Sequence, residues 1–384
     1  MYIDTFWTRG RFVLSAIVLT LLAAAAPAAA QSYTVLHPFT GAAPEPGGLI
    51  QATDGNFYGT TAKGGANGLG SVFQITSTGT MTTLHSFSGA DGRNPQGSLV
   101  QGSDGDFYGT TYYGGRYDFG TVFRITPAGA LTTLYSFFVS DGENPSAGLA
   151  QGRDKKYYGT TYAGGGSGYG TVFTITPGGT LTTLYSFEWS VGAWPNASLV
   201  QGTDGNFYGT TSSGGTSGNG TVFTITPAGT LTTLYSFAGS DGANPYASLM
   251  QSTDGNFYGT TSSGGTSGNG TVFKITPAGT LTTLHAFSGG DGANPYAGLV
   301  VGSDENLYGT TAFGGANAYG TVFSITPTGA LTTLRSFAGS DGAYSYAGLV
   351  LGIGGDFYGT TYYGGRYDFG TVFTITPAGA LTTL

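Results

Sequence analysis

Asp204-Gly205-Asn206-Phe207-Tyr208-Gly209-Thr210-Thr211 decides the fold of this chain. Asp-Gly is a hairpin signal, because Asp bonds to its own backbone and Gly takes positive φ at no steric cost. The run Phe-Tyr-Gly-Thr-Thr that follows has strand composition. It returns with its tyrosine at 58, 108, 158, 208, 258, 308 and 358, a 50-residue period without insertion or deletion, Tyr157 and Leu307 standing in for Phe. Residues 203–223 recur at 253–273, and residues 107–123 at 357–373. One supersecondary unit therefore builds the chain.

Working outward, residues 197–201, 206–211, 221–226 and 231–237 read as four short strands. Asp204-Gly205 and Pro227-Ala228-Gly229 are the tight turns between them, and residues 212–220 and 238–245 are the longer loops. The third strand alternates: Phe73 with Ile75 and Phe323 with Ile325 fall on one face, while Gln74, Arg124, Thr174, Lys274 and Ser324 vary between them. One small sheet cannot bury that face alone, so units must stack. Four strands in a unit of this length is the propeller pattern. An open β-solenoid competes, but its coils are shorter and its ends need caps.

The ends look built to meet. Thr34-Val35-Leu36-His37-Pro38-Phe39 matches a fourth strand (compare Thr83-Leu84-His85-Ser86-Phe87) with no first three strands before it. The last fourth strand stops at Leu381-Thr382-Thr383-Leu384. The expectation is an all-β, seven-bladed β-propeller of four-stranded antiparallel blades, closed by residues 34–39 joining the last blade so that no edge stays open. In such a meander both long loops share one face and both tight turns the other. Loops on a rigid scaffold are where binding concentrates.

The N-terminus reads as an export signal. Arg9 and Arg11 precede an apolar stretch at 12–26, and Ala28-Ala29-Ala30 offers a cleavage site before Gln31. Residues 1–30 are thus expected to be a signal peptide and residues 31–384 a single propeller domain of seven repeats. The mature chain is expected to be periplasmic, cell-surface or extracellular, without a membrane span. There is no cysteine, so disulfides and cysteine-ligated metals are excluded. A net charge of −8 with only 12 Lys and Arg leaves no basic surface for nucleic acid. Charged residues are 8% and aromatics 14%, which is folded rather than disordered composition.

The pattern Asp-Gly-Asn-Phe-Tyr-Gly-Thr-Thr, then Gly-Gly, then Gly-Thr-Val-Phe-x-Ile-Thr-Pro-x-Gly-x-Leu-Thr-Thr-Leu-Tyr-Ser-Phe, resembles the GloVer (Gloeo/Verruco) tandem repeat of bacterial "choice-of-anchor" proteins. That resemblance implies an exported bacterial repeat protein. A weaker similarity runs from Ile-Thr-Pro-x-Gly to blades of the virginiamycin B lyase type, whose histidine and acidic constellation has no match in these residues.

Chemistry is sparse. His37, His85 and His285 occupy one repeat position, where other units carry Tyr135, Tyr185, Tyr235 or Arg335, so they stand in different blades and cannot form a catalytic group. Asp54, Asp104, Asp204 and Asp254 sit in hairpin turns. Asp91, Asp141, Asp241, Asp291 and Asp341 sit in inter-blade loops without a dense acidic cluster, so turn chemistry outranks Ca²⁺ binding. The glycine pairs lack the Lys and the following helix of a phosphate loop. No catalytic group, metal or cofactor is expected.

The aromatic loops are the binding candidates: Tyr112, Tyr113, Arg116, Tyr117 and Asp118, their repeat Tyr362, Tyr363, Arg366, Tyr367 and Asp368, and Trp189 with Trp194. Tyr and Trp beside Gly, Ser and Asn make amphipathic contact surfaces; the competing role is packing between blades. The expected function is an exported, non-catalytic, monomeric binding or interaction scaffold with a glycan or protein ligand. The alternatives are a propeller enzyme, a lyase or hydrolase acting at the central channel, and a structural envelope protein.

Overall fold

A computed structural model describes residues 49–76, 80–352, 354–368 and 370–383. The chain forms seven four-stranded antiparallel sheets, each in sequential order, arranged as a seven-bladed β-propeller. We number the blades 1 to 7 along the chain. In blade 4 the strands are Val200–Gln201, Phe207–Thr211, Thr221–Ile225 and Leu231–Ser236. No described residue is helical. The signal peptide, His37 and the closing strand at 34–39 lie outside the described residues.

Each residue of Phe-Tyr-Gly-Thr-Thr has a separate task. Phe207 and Tyr208 are buried on opposite faces of their blade. Tyr208 stacks forward on Phe257 of blade 5, centroids 4.0 Å apart, and its hydroxyl donates to Asp204 Oδ2 at 2.9 Å. The turn aspartate thus anchors the ring that joins two blades. A Cβ on Gly209 would stand 2.6 Å from the Phe223 ring, so glycine is what lets the third strand pack down. The hydroxyl of Thr210 donates to the carbonyl of Ala247, which ties the blade to the chain entering the next. Thr211 and Thr221 share a hydrogen bond of 2.8 Å that closes the mouth of the long loop.

Both faces of a blade are buried. Between blades 1 and 2, Tyr58, Val72 and Phe87 meet Leu99, Phe107, Phe123 and Ile125. Each such side chain contributes roughly 1.5–3 kcal/mol, and the set recurs at every junction up to that between blades 6 and 7. The variable third-strand residue therefore points into a junction rather than into open solvent. Gln74 donates to the Tyr58 hydroxyl there at 2.8 Å.

The ring closes where Tyr358 of blade 7 meets Phe57 of blade 1. This pair is tilted at 5.4 Å, against stacked pairs of 3.9–4.1 Å elsewhere. Among the described residues, Phe57, Phe73 and Ile75 form the buried cluster at this seam. The fourth strand of blade 7 spans Leu381–Thr383 and pairs with Phe373–Ile375.

Candidate functional site on the loop face

The expected sorting of loops holds. Each inter-blade loop bridges to the glycine-rich loop of the blade it enters, as in Arg93 with Tyr113, Ala193 with Ser213 and Ala343 with Tyr363. Both long loops therefore lie on one face.

The innermost ring of that face is set by the residue that follows the inter-blade proline, or Ser345 in the last loop. Chains entering neighbouring blades touch here: a Cβ on Gly97 would meet the Ala147 backbone at 2.5 Å. One residue earlier stand Ser146 and Asn196, 3.5 Å apart, and then Tyr246, Tyr296 and Tyr346, with centroids 5.6 and 5.4 Å apart. Equivalent side chains of a seven-fold ring that approach this closely stand roughly 6 Å from its axis. The tyrosines form an arc around the mouth of the central channel. Tyr362 continues it, 5.8 Å from Tyr346. Burial raises the pKa values of Tyr112, Tyr246 and Tyr346, with neighbouring tyrosine hydroxyls adding to the shift, so all three stay protonated donors at neutral pH.

Of the residues predicted from sequence, Tyr112 and Tyr362 reach this inner ring, half-buried, while Tyr113, Tyr117, Tyr363 and Tyr367 lie further out and exposed. Arg116 and Arg366 each cover the ring of the tyrosine next to them, at 5.2 and 5.4 Å. Asp118 and Asp368 occupy a position with φ of 65° and 58°, which Gly68, Gly168, Gly218 and Gly268 fill in other blades. The side chain earns its place by folding back: Oδ1 accepts the amide of Gly114 at 2.9 Å and of Gly364 at 2.8 Å.

The two loops part company in what packs on them. Arg93 enters the first, its Nε 3.1 Å from Asp118 Oδ1, its Nη2 2.8 Å from Oδ2 and its Cζ 4.5 Å from the Tyr113 centroid. At the second, Ala343 stands in place of Arg93, and a cavity of about 490 Å³ opens, lined by Tyr319, Ala343, Tyr344, Tyr363 and Asp368.

Trp189 and Trp194 meet at the junction of blades 3 and 4, ring centroids 5.7 Å apart, and Trp194 stacks toward Tyr162 at 6.0 Å. Trp194 replaces an asparagine. In four other loops Asn94, Asn144, Asn244 and Asn294 hold φ of 53–57° there and cap a carbonyl of the previous blade. Trp194 and Tyr344 keep positive φ, 59° and 58°, without an asparagine's tolerance for it. Strain of this kind is retained where surroundings impose it, and it clusters at sites that bind.

The two described histidines are structural partners. His85 and His285 bond Asp91 and Asp291, each at 2.8 Å. Tyr135 and Arg335 make the same contact with Asp141 and Asp341. Each inter-blade aspartate also accepts from the loop backbone, as Asp91 does from Ser88.

Sequence reasoning passed over Tyr246, Tyr296, Tyr346, Tyr319 and Tyr344. Their signal was positional: tyrosine in three successive repeats where Gln96, Ser146 and Asn196 stand, and tyrosine for asparagine at 344.

The structure is similar to the virginiamycin B lyase of Staphylococcus aureus, with TM-score 0.55 and 16% identity over 76% of this chain and 83% of that one. A streptogramin B lyase gives 0.58 and 17%, over 84% and 92%. A protein from Bacteroides fragilis named as a candidate 6-phosphogluconolactonase gives 0.58 and 20%, over 86% and 93%. At these identities the likeness is one of fold. No curated protein matches the chain in sequence. The Gloeobacter/Verrucomicrobia repeat matches residues 45–254 and 195–384, and the chain belongs to that repeat family.

Proposed function

We propose that this protein is an exported, non-catalytic binding propeller whose loop face takes a neutral glycan along the tyrosine arc at the channel mouth. One observation carries the reading: Tyr246, Tyr296 and Tyr346 form a contiguous, partly exposed aromatic track that continues the polar pair Ser146 and Asn196. Aromatic faces stack on the apolar faces of sugar rings, and hydroxyl and amide groups serve their hydroxyls. These five side chains carry no charge at neutral pH, which suits an uncharged ligand better than an ionic one. The apolar run at 12–26 behind two arginines supports export.

The lyase and lactonase names among the structural neighbours suggest chemistry at the channel instead. Among the described residues no group of three or more His, Cys, Asp and Glu is placed to hold a metal ion for it. Neutral tyrosine, serine and asparagine side chains at the mouth favour binding.

A glycan array probed with the mature chain and with Tyr296→Ala tests this. Saturable binding to neutral oligosaccharides, weakened about tenfold or more by loss of the central ring, is expected. Binding that survives Tyr296→Ala and Tyr246→Ala together, or capture of a protein in place of any glycan, overturns it.

A further inference from the structure

We propose that the cavity between blades 6 and 7 is a receptor for the guanidinium group of an arginine side chain on a protein partner. The molecule carries its own template. Residues 112–119 repeat as 362–369, and at the first loop the equivalent space is already filled by an arginine.

The template specifies the ligand. Arg93 meets Asp118 through two nitrogens and two oxygens and lies over the Tyr113 ring. A planar fork stacked on an aromatic face is what separates guanidinium from ammonium recognition. Every receiving group exists at the second loop. Ala343 and Tyr363 exchange backbone hydrogen bonds of 2.8 and 3.1 Å, as Arg93 and Tyr113 do at 2.9 and 3.1 Å. Asp368 is held by the Gly364 amide as Asp118 is by Gly114. Among the described residues no cation pairs with Asp368.

The second loop is also enlarged on its rim. Tyr319 and Tyr344 stand where the first loop has Leu69 and Asn94. Tyr344 lies 6.0 Å from Tyr319 and 6.1 Å from Tyr363, both near perpendicular, so three rings line one cavity with the Asp368 carboxylate. An exposed carboxylate beside a cavity of about 490 Å³, with no cation paired to it among the described residues, fits a cation supplied from outside.

The cavity adjoins the end of the tyrosine arc, the Tyr363 ring lying 4.5 Å from that of Tyr362, but the proposal does not rest on the glycan reading. The probe is N-acetyl-arginine methylamide, titrated calorimetrically into the full chain beside its lysine counterpart. Saturable binding of one equivalent is expected, with lysine about tenfold weaker. Asp368→Asn should lower the affinity about tenfold or more, and Ala343→Arg, which supplies the guanidinium internally, should abolish binding while the thermal melt shows an intact fold. Tyr296→Ala should leave arginine binding unchanged. Absence of saturable binding, equal affinity for lysine, or wild-type affinity in Asp368→Asn and Ala343→Arg overturns the proposal.

Discussion

Residues 112–119 and 362–369 are the same eight residues on the same kind of blade, and they present different surfaces. At the first, a guanidinium from the neighbouring loop covers the tyrosine and neutralises the aspartate. At the second, an alanine leaves both open and two further tyrosines surround them. The difference teaches that a blade does not own its binding surface. Each site is composed across a junction, and the residue that makes or unmakes it arrives on the inter-blade loop. A repeat protein can thus hold its core constant and vary function at the rims.

That comparison assumes that the interiors of the two junctions are equivalent. Tyr58 stacks on Phe107 and Tyr308 on Phe357, each at 4.1 Å and each with its hydroxyl on a turn aspartate. Tyr58→Ala and Tyr308→Ala should each cost about 3–5 kcal/mol, the range for large aromatics removed from a core. Denaturant unfolding measures both, and a difference of more than about 1.5 kcal/mol breaks the equivalence.

A smaller effect is expected at the rim. Tyr344→Asn restores the asparagine that caps a carbonyl in four other loops and suits positive φ. It should stabilise the chain by about 1 kcal/mol while weakening arginine binding. A destabilised variant would mean that the Tyr344 ring is needed for packing rather than kept for contact.

The smallest effect is electrostatic. The hydrogen bond from Arg93 holds the Asp118 carboxyl below its ordinary value of 3.8, against a weaker opposing push from burial. A depressed carboxyl stabilises the fold above its unfolded pKa, and that contribution is lost as pH falls below 3.8 toward the folded value. The pair is exposed, so the contribution is small. Carboxyl NMR titration should show Asp118 moving back toward 3.8 in Arg93→Ala, and an unmoved Asp118 would refute the pairing.

The fold was legible because propeller physics is local and repeated. Period, alternation and turn residues recur in every unit, and one strand–turn–strand segment carries them all. Even Asp204, read as a turn residue, is one, with the added task of holding Tyr208. The site was legible only in part. Tyr363 and Asp368 stood out by being unusual in sequence. Tyr246, Tyr296 and Tyr346 did not, since each occupies that position singly in its own repeat, and only ring geometry brings each within 6 Å of the next. The effect of Arg93 was hidden for the same reason: its partner lies 25 residues on, across a junction.

The most direct test of this account is the stoichiometry of N-acetyl-arginine methylamide on Arg93→Ala. Removing the internal guanidinium should uncover Tyr113 and Asp118 and add a second, weaker equivalent to the one bound between blades 6 and 7. A folded Arg93→Ala chain that still binds one equivalent, or none, would contradict the claim that Arg93 is what keeps the first copy closed.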